Sequence, residues 1–349
     1  MRICIVGHYG GNESFTDGQS VKVQSLYNAL KKHLPNEKVD LVDTYYLNKT
    51  TLMFSLRFLH CLLFDKVFIF LPAARGRTIL FKVFFYIKKI LRKRVFHDCI
   101  AGSLDEEVLV HKNWIKYLNC FDSNWMESPQ QVEKLKAIGI TNTEYIPNFK
   151  SITPISIDEM RGIQYERPFK FCTFCRVEPR KGIEDALIAM KEINEVNPGT
   201  AELDVYGPIQ PGQEDWFDRM QKEYNGLFNY CGVVNPNDSV DCLKEYLALL
   251  FPTRYFTEGM PGTIIDAMFA GIPVIARKWA WCDNMIKDGY NGIVYDFSNP
   301  RAIDQILINV TRNPSILLNM KENCLKESFR YSECEVISKI ISILTWGGH

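Results

Sequence analysis

The chain predicts an α/β fold of two doubly wound parallel-sheet domains, on three observations. Its 349 residues exceed what one small core needs and fit two domains. Short apolar runs alternate with longer helical patterns, the signature of parallel strands joined by helices. Between two such series lies Ile146 to Gly162, IPNFKSITPISIDEMRG, whose two prolines and weak periodicity read as a hinge. Two doubly wound domains with such a linker leave a cleft facing the carboxyl ends of both sheets, where ligands bind in folds of this class.

Each element follows from local pattern. MRICIVGHYGG opens with an apolar run at Ile3 to Val6 that reads as a strand ending in a glycine turn, and is too short for a signal peptide. Val39 to Val42 and Val67 to Leu71 are further strands, with Val21 to Leu34 and Thr78 to Leu91 as helices. The second series begins at Phe169 with FKFCTFCRV, continues through the helix Ile183 to Ile193 and the segments Glu202 to Tyr206 and Ala248 to Pro252, and includes Pro273 to Ala276. Pro261 and Gly262 break the chain before Ile264, Ile265, Met268 and Phe269, which recur as one face of a buried helix; Gly271 and Pro273 stop it.

Composition excludes several classes. Forty-one basic residues balance forty-one acidic ones, which argues against a surface that coats nucleic acid. Eleven scattered cysteines lack a secreted-domain framework and indicate a reducing cytoplasm. Cys172 and Cys175 form a CxxC, but a strand points them to opposite faces and no further ligands stand at matching spacing for zinc. The nearest approach to a membrane span, Thr51 to Phe64, is interrupted by Arg57 and His60.

Chemistry concentrates in Glu258 to Ala276, EGMPGTIIDAMFAGIPVIA, where two carboxylates eight residues apart bracket the turn and open the helix. The free N–H groups and dipole of that helix start favour a phosphate just before Thr263. Glu258 sits beside it, and Asp266, one turn in, can accept bonds from vicinal hydroxyls such as a ribose's; two solvated acids are the alternative. Arg176 and Lys181, in RVEPRKG, join a strand to a helix and can neutralise a departing diphosphate, or form a solvated basic turn. Asp17-Gly18 follows Gly10-Gly11 and starts the first helix, where glycine permits close approach of an anion. His97, in KRVFHDCIAG, ends a strand and can meet a sugar hydroxyl, shuttle a proton, or simply cap or fill the core. Arg75 to Arg94 carries eight basic residues and no acid. Arg75, Lys82, Lys89 and Lys93 form a stripe with Ile79, Leu80, Val83, Phe84, Ile87 and Leu91 elsewhere, as in a helix lying on anionic lipid or one flanking a sheet.

These residues resemble the retaining nucleotide-sugar glycosyltransferases of the GT-B fold, family four (group 1), whose members build lipid-linked glycans and polysaccharides. Glu258 to Asp266 is similar to the family's E-x7-E motif in its EGxPxxLLEAM form, and AGIPVIA to its AxGxPVIA. Arg176 and Lys181 match GRLxxxKG with the same spacing. DVYGPI with Gly207, GVVNPNDSVDCL with Val234, YIPNF at Tyr145 to Phe149, Gly18 eight residues before Leu26, and His97 extend the likeness over nearly the whole chain. Three positions depart from the pattern: Asp266 for glutamate, Cys175 for glycine, and Asp17 for the first glycine of the turn.

The resemblance implies Rossmann-like domains facing a central cleft: 1–150 on the acceptor side, 151–330 binding the nucleotide sugar, and a C-terminal helix in 331–349 packing back toward the first. It implies that Glu258 contacts the donor sugar near the reaction centre, Asp266 the ribose, and Arg176 and Lys181 the diphosphate. Gly18 lets the N-terminal turn approach the phosphates, Gly207 follows a strand as a glycine turn, and Val234 flanks the base. The Gly259, Met260, Pro261, Gly262 and Thr263 backbone meets sugar or phosphate, and His97 the sugar or acceptor. No metal or cofactor is expected, and the arginine and lysine take the place of a divalent ion. The expected partners are a UDP- or GDP-linked sugar, a glycan or lipid-linked acceptor, and an anionic membrane surface through Arg75 to Arg94, with no nucleic acid; the expected location is cytoplasmic, peripheral to the inner membrane face. A nucleotide-sugar epimerase on the same fold, and a non-catalytic nucleotide-sugar-binding subunit, remain open alternatives.

Overall fold

The computed structural model describes residues 1–11, 18–47, 50–100 and 102–345. They form two units: Met1–Ser151 with Glu333–His349, and Ile152–Ser332.

The first unit is built on six parallel strands, β1 (Arg2–Gly7), β2 (Lys38–Asp43), β3 (Val67–Leu71), β4 (Arg94–Asp98), β5 (Ser123–Met126) and β6 (Thr143–Tyr145), in the order β2-β1-β3-β4-β5-β6. Ile3, Cys4, Ile5 and Val6 are all buried, because helices cover both faces and leave no polar side for alternation. Helix α1 (Gly18–His33) puts Val23, Leu26 and Leu30 against Ile3 and Ile5 on one face. The helix Glu333–Thr345 adds Val336, Ile337 and Ile340 to that layer, and Glu333 pairs with Lys32 at 2.7 Å. On the opposite face α2 (Thr51–Phe64) and α3 (Arg77–Leu91) share a core with Cys4, Phe68 and Phe70.

The basic stripe needs two corrections. Helix α3 ends at Leu91 because Arg92 is left-handed, with φ 52°, and Lys93 then leads into β4, so Lys93 leaves the helical stripe. Ile79, Tyr86 and Ile90 stand exposed alongside Lys82 and Lys89, while Phe84 and Ile87 are buried.

The second unit repeats the scheme with β7 (Phe169–Phe174), β8 (Ala201–Tyr206), β9 (Phe228–Gly232), β10 (Ala248–Phe251), β11 (Val274–Arg277) and β12 (Gly292–Tyr295), again parallel, in the order β12-β11-β10-β7-β8-β9. The chain runs outward from β7 through β8 and β9, then returns to lay β10 on the other side of β7. Strand order therefore reverses between β7 and β10, and the loops leaving those two strands diverge there, which makes room for a ligand.

Candidate active site

The second unit's predicted residues follow the carboxyl ends of its strands. Arg176 and Lys181 lie in the loop after β7, Gly207 directly after β8, Val234 shortly after β9, and Glu258 in the loop after β10. Two glycines hold these loops at backbone contact. Gly207 has φ +131°, and a Cβ there would lie 1.9 Å from the carbonyl oxygen of Cys175, so the β8 turn touches the backbone next to Arg176. Gly182 has φ +72°, and its Cβ would lie 2.0 Å from the Pro252 oxygen at the end of β10. Gly182 thus sets Lys181 across the switch point. It closes the short helical turn Pro179–Lys181 in the left-handed conformation, where glycine is favoured.

Across that point Lys181 Nζ forms an ion pair with Glu258 Oε1, and Thr253 Oγ1 donates to the same oxygen at 3.2 Å. Burial works against the lysine's charge, yet the carboxylate beside it outweighs that cost and its pKa is raised. Lys181 is a fixed cation. Arg176 is exposed and makes no hydrogen bond or ion pair with a described residue, so its guanidinium is free to meet an anion. Behind them Arg254 holds the β10 loop to the helix Ile183–Val196 through a two-pronged contact with Asp185, at 2.7 and 3.1 Å. Thr253, Asp185 and Arg254 escaped the sequence reading because only the fold brings β10's loop to that helix.

The helix Gly262–Phe269 begins without a side-chain cap, leaving first-turn N–H groups toward this loop cluster. Thr263 Oγ1 is buried and without a hydrogen-bond partner. Trp279 Nε1 donates to the Gly259 oxygen at 3.3 Å, and Met260 is buried, so the Gly259–Thr263 backbone is anchored from below. Asp266 is 3% exposed, and its Oδ1 accepts from Ser239 Oγ at 3.0 Å. That bond ties the helix of Asp266 to the start of helix Ser239–Leu243, just after Val234.

The first unit holds the remaining two. Gly18 opens α1 with open space around it, and Asp17 lies outside the described residues. His97, at 0% exposure, packs its ring against Phe70 and Phe81 at 5.1 and 5.0 Å, with Nδ1 3.2 Å from Asn124 Oδ1 and Nε2 unpartnered. Burial first, then Arg77, push its pKa down to about 3. The ring is therefore neutral and enclosed, which is the core-filling position among the alternatives that the sequence leaves open for it. Its neighbour Asp98 is held by Lys22 at 2.7 Å, with Glu127 on the same ammonium at 2.8 Å. Because His97's folded pKa lies below its unfolded value of about 6.5, its contribution to stability is present above that pH and is lost as pH falls toward 3. Urea unfolding should show the native chain losing ~1 kcal/mol per pH unit relative to His97→Met across that window. Parallel pH profiles would refute this.

Among the described residues, Cys4, Cys61 and Asp65 bring three ligating atoms within 4.8 Å of one another. Arg2 Nε donates to Asp65 at 3.0 Å, and three donors are one short of a tetrahedral zinc site. All eleven cysteines are free.

Residues 158–327 match the model of the family described as glycosyl transferases group 1. The chain is 22% identical over 264 residues to an uncharacterized 41.2 kDa protein in the cps region of Klebsiella pneumoniae, covering 75% of this chain and 64% of that one. It is 24% identical over 249 residues to alpha-monoglucosyldiacylglycerol synthase of Acholeplasma laidlawii, covering 71% and 54%. The matches thus span between half and two-thirds of these relatives' length. Among solved structures, HepE of Anabaena in complex with UDP superposes with a TM-score of 0.75 at 15% identity, covering 99% of this chain and 100% of that one. Sucrose-phosphate synthase of Thermosynechococcus elongatus gives 0.76 at 14%, covering 99% and 98%. The match to the group 1 glycosyl transferases covers residues 158–327, and the two parallel-sheet units have the GT-B fold of these solved structures.

Proposed function

We propose that this chain transfers a sugar from a nucleotide-diphosphate sugar, UDP- or GDP-linked, to a glycan or lipid-linked acceptor, with retention of configuration at the anomeric carbon. The observation that carries this reading is the Lys181–Glu258 ion pair at the switch point of the second sheet, with unpaired Arg176 in the same β7 loop and the uncapped helix Gly262–Phe269 following Glu258. Arg176 and Lys181 take the diphosphate and neutralise it as the anomeric C–O bond breaks, with the helix's free N–H groups sharing the charge. Glu258 faces the sugar's hydroxyls with its remaining acceptor capacity, and Lys181 and Thr253 fix its rotamer. Gly207 allows close backbone approach, and Val234 borders the base. Asp266, braced by Ser239, meets the ribose. The two cations supply the charge that a divalent ion supplies in other transferases.

HepE's complex with UDP supports a uridine donor, and the name of the Acholeplasma relative supports a lipid acceptor. The segment Arg75 to Arg94 then serves as a cationic contact with an anionic membrane, placing the enzyme at the periphery of a lipid surface.

Thermal unfolding across UDP-, GDP- and ADP-sugars tests the donor. At about 100 times Kd the matching donor stabilises by about 2.7 kcal/mol and raises Tm by a few degrees. No shift with any nucleotide sugar refutes the donor reading. Incubation with the donor alone separates transfer from epimerisation: an epimerised nucleotide sugar would overturn the transferase assignment.

A further inference from the structure

The face of the first unit that carries α2 and α3 presents an apolar surface bordered by unpaired cations. Helix α2 is apolar on two opposite sides, with Arg57 and His60 exposed between them. Phe54, Phe58 and Leu62 turn inward to the core, as the sheet requires. On the opposite side Leu52, Leu56, Leu59 and Leu63, spaced as a single helical stripe, are 75%, 60%, 52% and 66% exposed. A contiguous leucine stripe calls for an apolar medium, and here no described residue of the unit covers it. Helix α3 packs on the same sheet face, with Phe84 meeting Phe58 of α2 edge-on at 6.4 Å. Its outward stripe mixes Ile79, Tyr86 and Ile90 with Lys82 and Lys89.

Charge identifies the occupant. Thr51 to Arg94 contains ten Lys or Arg and a single acid, Asp65, within a chain of zero net charge. Asp65 is buried and taken by Arg2. Arg57, Lys66, Arg75, Lys82, Lys89 and Arg92 are exposed and form no ion pair with a described residue. A second copy docked symmetrically on this face would set these cations against themselves. A bilayer with anionic headgroups accepts both features, the leucines in its acyl boundary and the cations among its phosphates. No described helix is long and apolar enough to cross a membrane, so the geometry is that of a helix lying in the interface.

We infer that α2 is a membrane-inserting element whose leucine stripe enters the acyl boundary of an anionic bilayer while the cations of α2 and α3 hold its headgroups. This deepens the cationic contact proposed above, and rests on it only for the headgroup half.

The test is flotation of the full chain with vesicles of phosphatidylcholine alone, or with about one-third phosphatidylglycerol. The chain should float with the anionic vesicles, and high salt should weaken the binding without abolishing it, because insertion of leucine is unscreened. Leu56→Ser with Leu59→Ser, both at exposed positions, should keep the parent's Tm and weaken vesicle binding by at least about tenfold. Lys82→Gln with Lys89→Gln should flatten the salt dependence. Complete release by salt together with unaltered binding of the leucine variant overturns insertion and leaves the electrostatic contact standing; absence of any binding to anionic vesicles overturns both. A concentration-dependent dimer that the leucine variant lacks would assign the stripe to self-association instead. None of these readouts depends on sugar transfer.

Discussion

Arg176→Ala and Glu258→Ala should each lower sugar transfer by about 100- to 1000-fold while leaving a folded protein. Arg176 is exposed and bonded to no described residue, so its removal costs the fold nothing; its loss is read only when a diphosphate must be held. Glu258 is held by Lys181 and Thr253, and truncating it leaves the lysine without its counter-ion. Glu258→Gln separates the two effects, since the amide oxygen can still accept from both donors but carries no charge. Circular dichroism and Tm establish the fold, and initial rates with the donor identified by thermal shift establish the loss. Near-normal turnover in purified Arg176→Ala or Glu258→Ala would overturn the site.

Gly182→Val should be the most damaging single substitution in the second unit outside its apolar core. The residue is left-handed, and its Cβ would sit 2.0 Å from the Pro252 carbonyl oxygen, so either the end of β10 or the Lys181 turn must move. A destabilisation of about 3 kcal/mol or more is expected, with transfer lost even below the new Tm, because the shift separates Lys181 from Glu258. Gly212→Ala is the control: φ is also positive, at +84°, but nothing lies within 4 Å, so only the conformational cost of about 1 kcal/mol remains. Equal effects at the two glycines would show that close approach at Gly182 does not matter.

The long elements were legible because their signals are local and redundant. Ile3 to Val6, Val67 to Leu71, Ile183 to Ile193 and the helix after Pro261 each carry an unbroken run or a repeated apolar spacing, and the structure places elements there within a few residues. Strands β5, β6 and β9 (SNWM, TEY and FNYCG) lack the unbroken apolar run that marks equally short β3 and β10, and the run in β12 (GIVY) is only two residues before its tyrosine, so none of the four stands out in sequence. Their pairing with long neighbours makes them strands. The basic segment was read as one helical stripe because Arg92's left-handed turn leaves no mark in charge spacing.

Sequence by itself determined which chemical groups are available: the carboxylates of Glu258 and Asp266, the cations Arg176 and Lys181, the glycine turns, and an alternation that permits only parallel sheets covered on both faces. Only the tertiary structure decided how each group is used. It paired Lys181 with Glu258, residues 77 apart in sequence, through the reversal of strand order at β7 and β10. It turned Asp266 toward Ser239 and enclosed His97 among phenylalanines. The physical reason is that ionisable side chains take their roles from the distance and burial of their neighbours, and these are set by crossover connections that no local window of sequence contains.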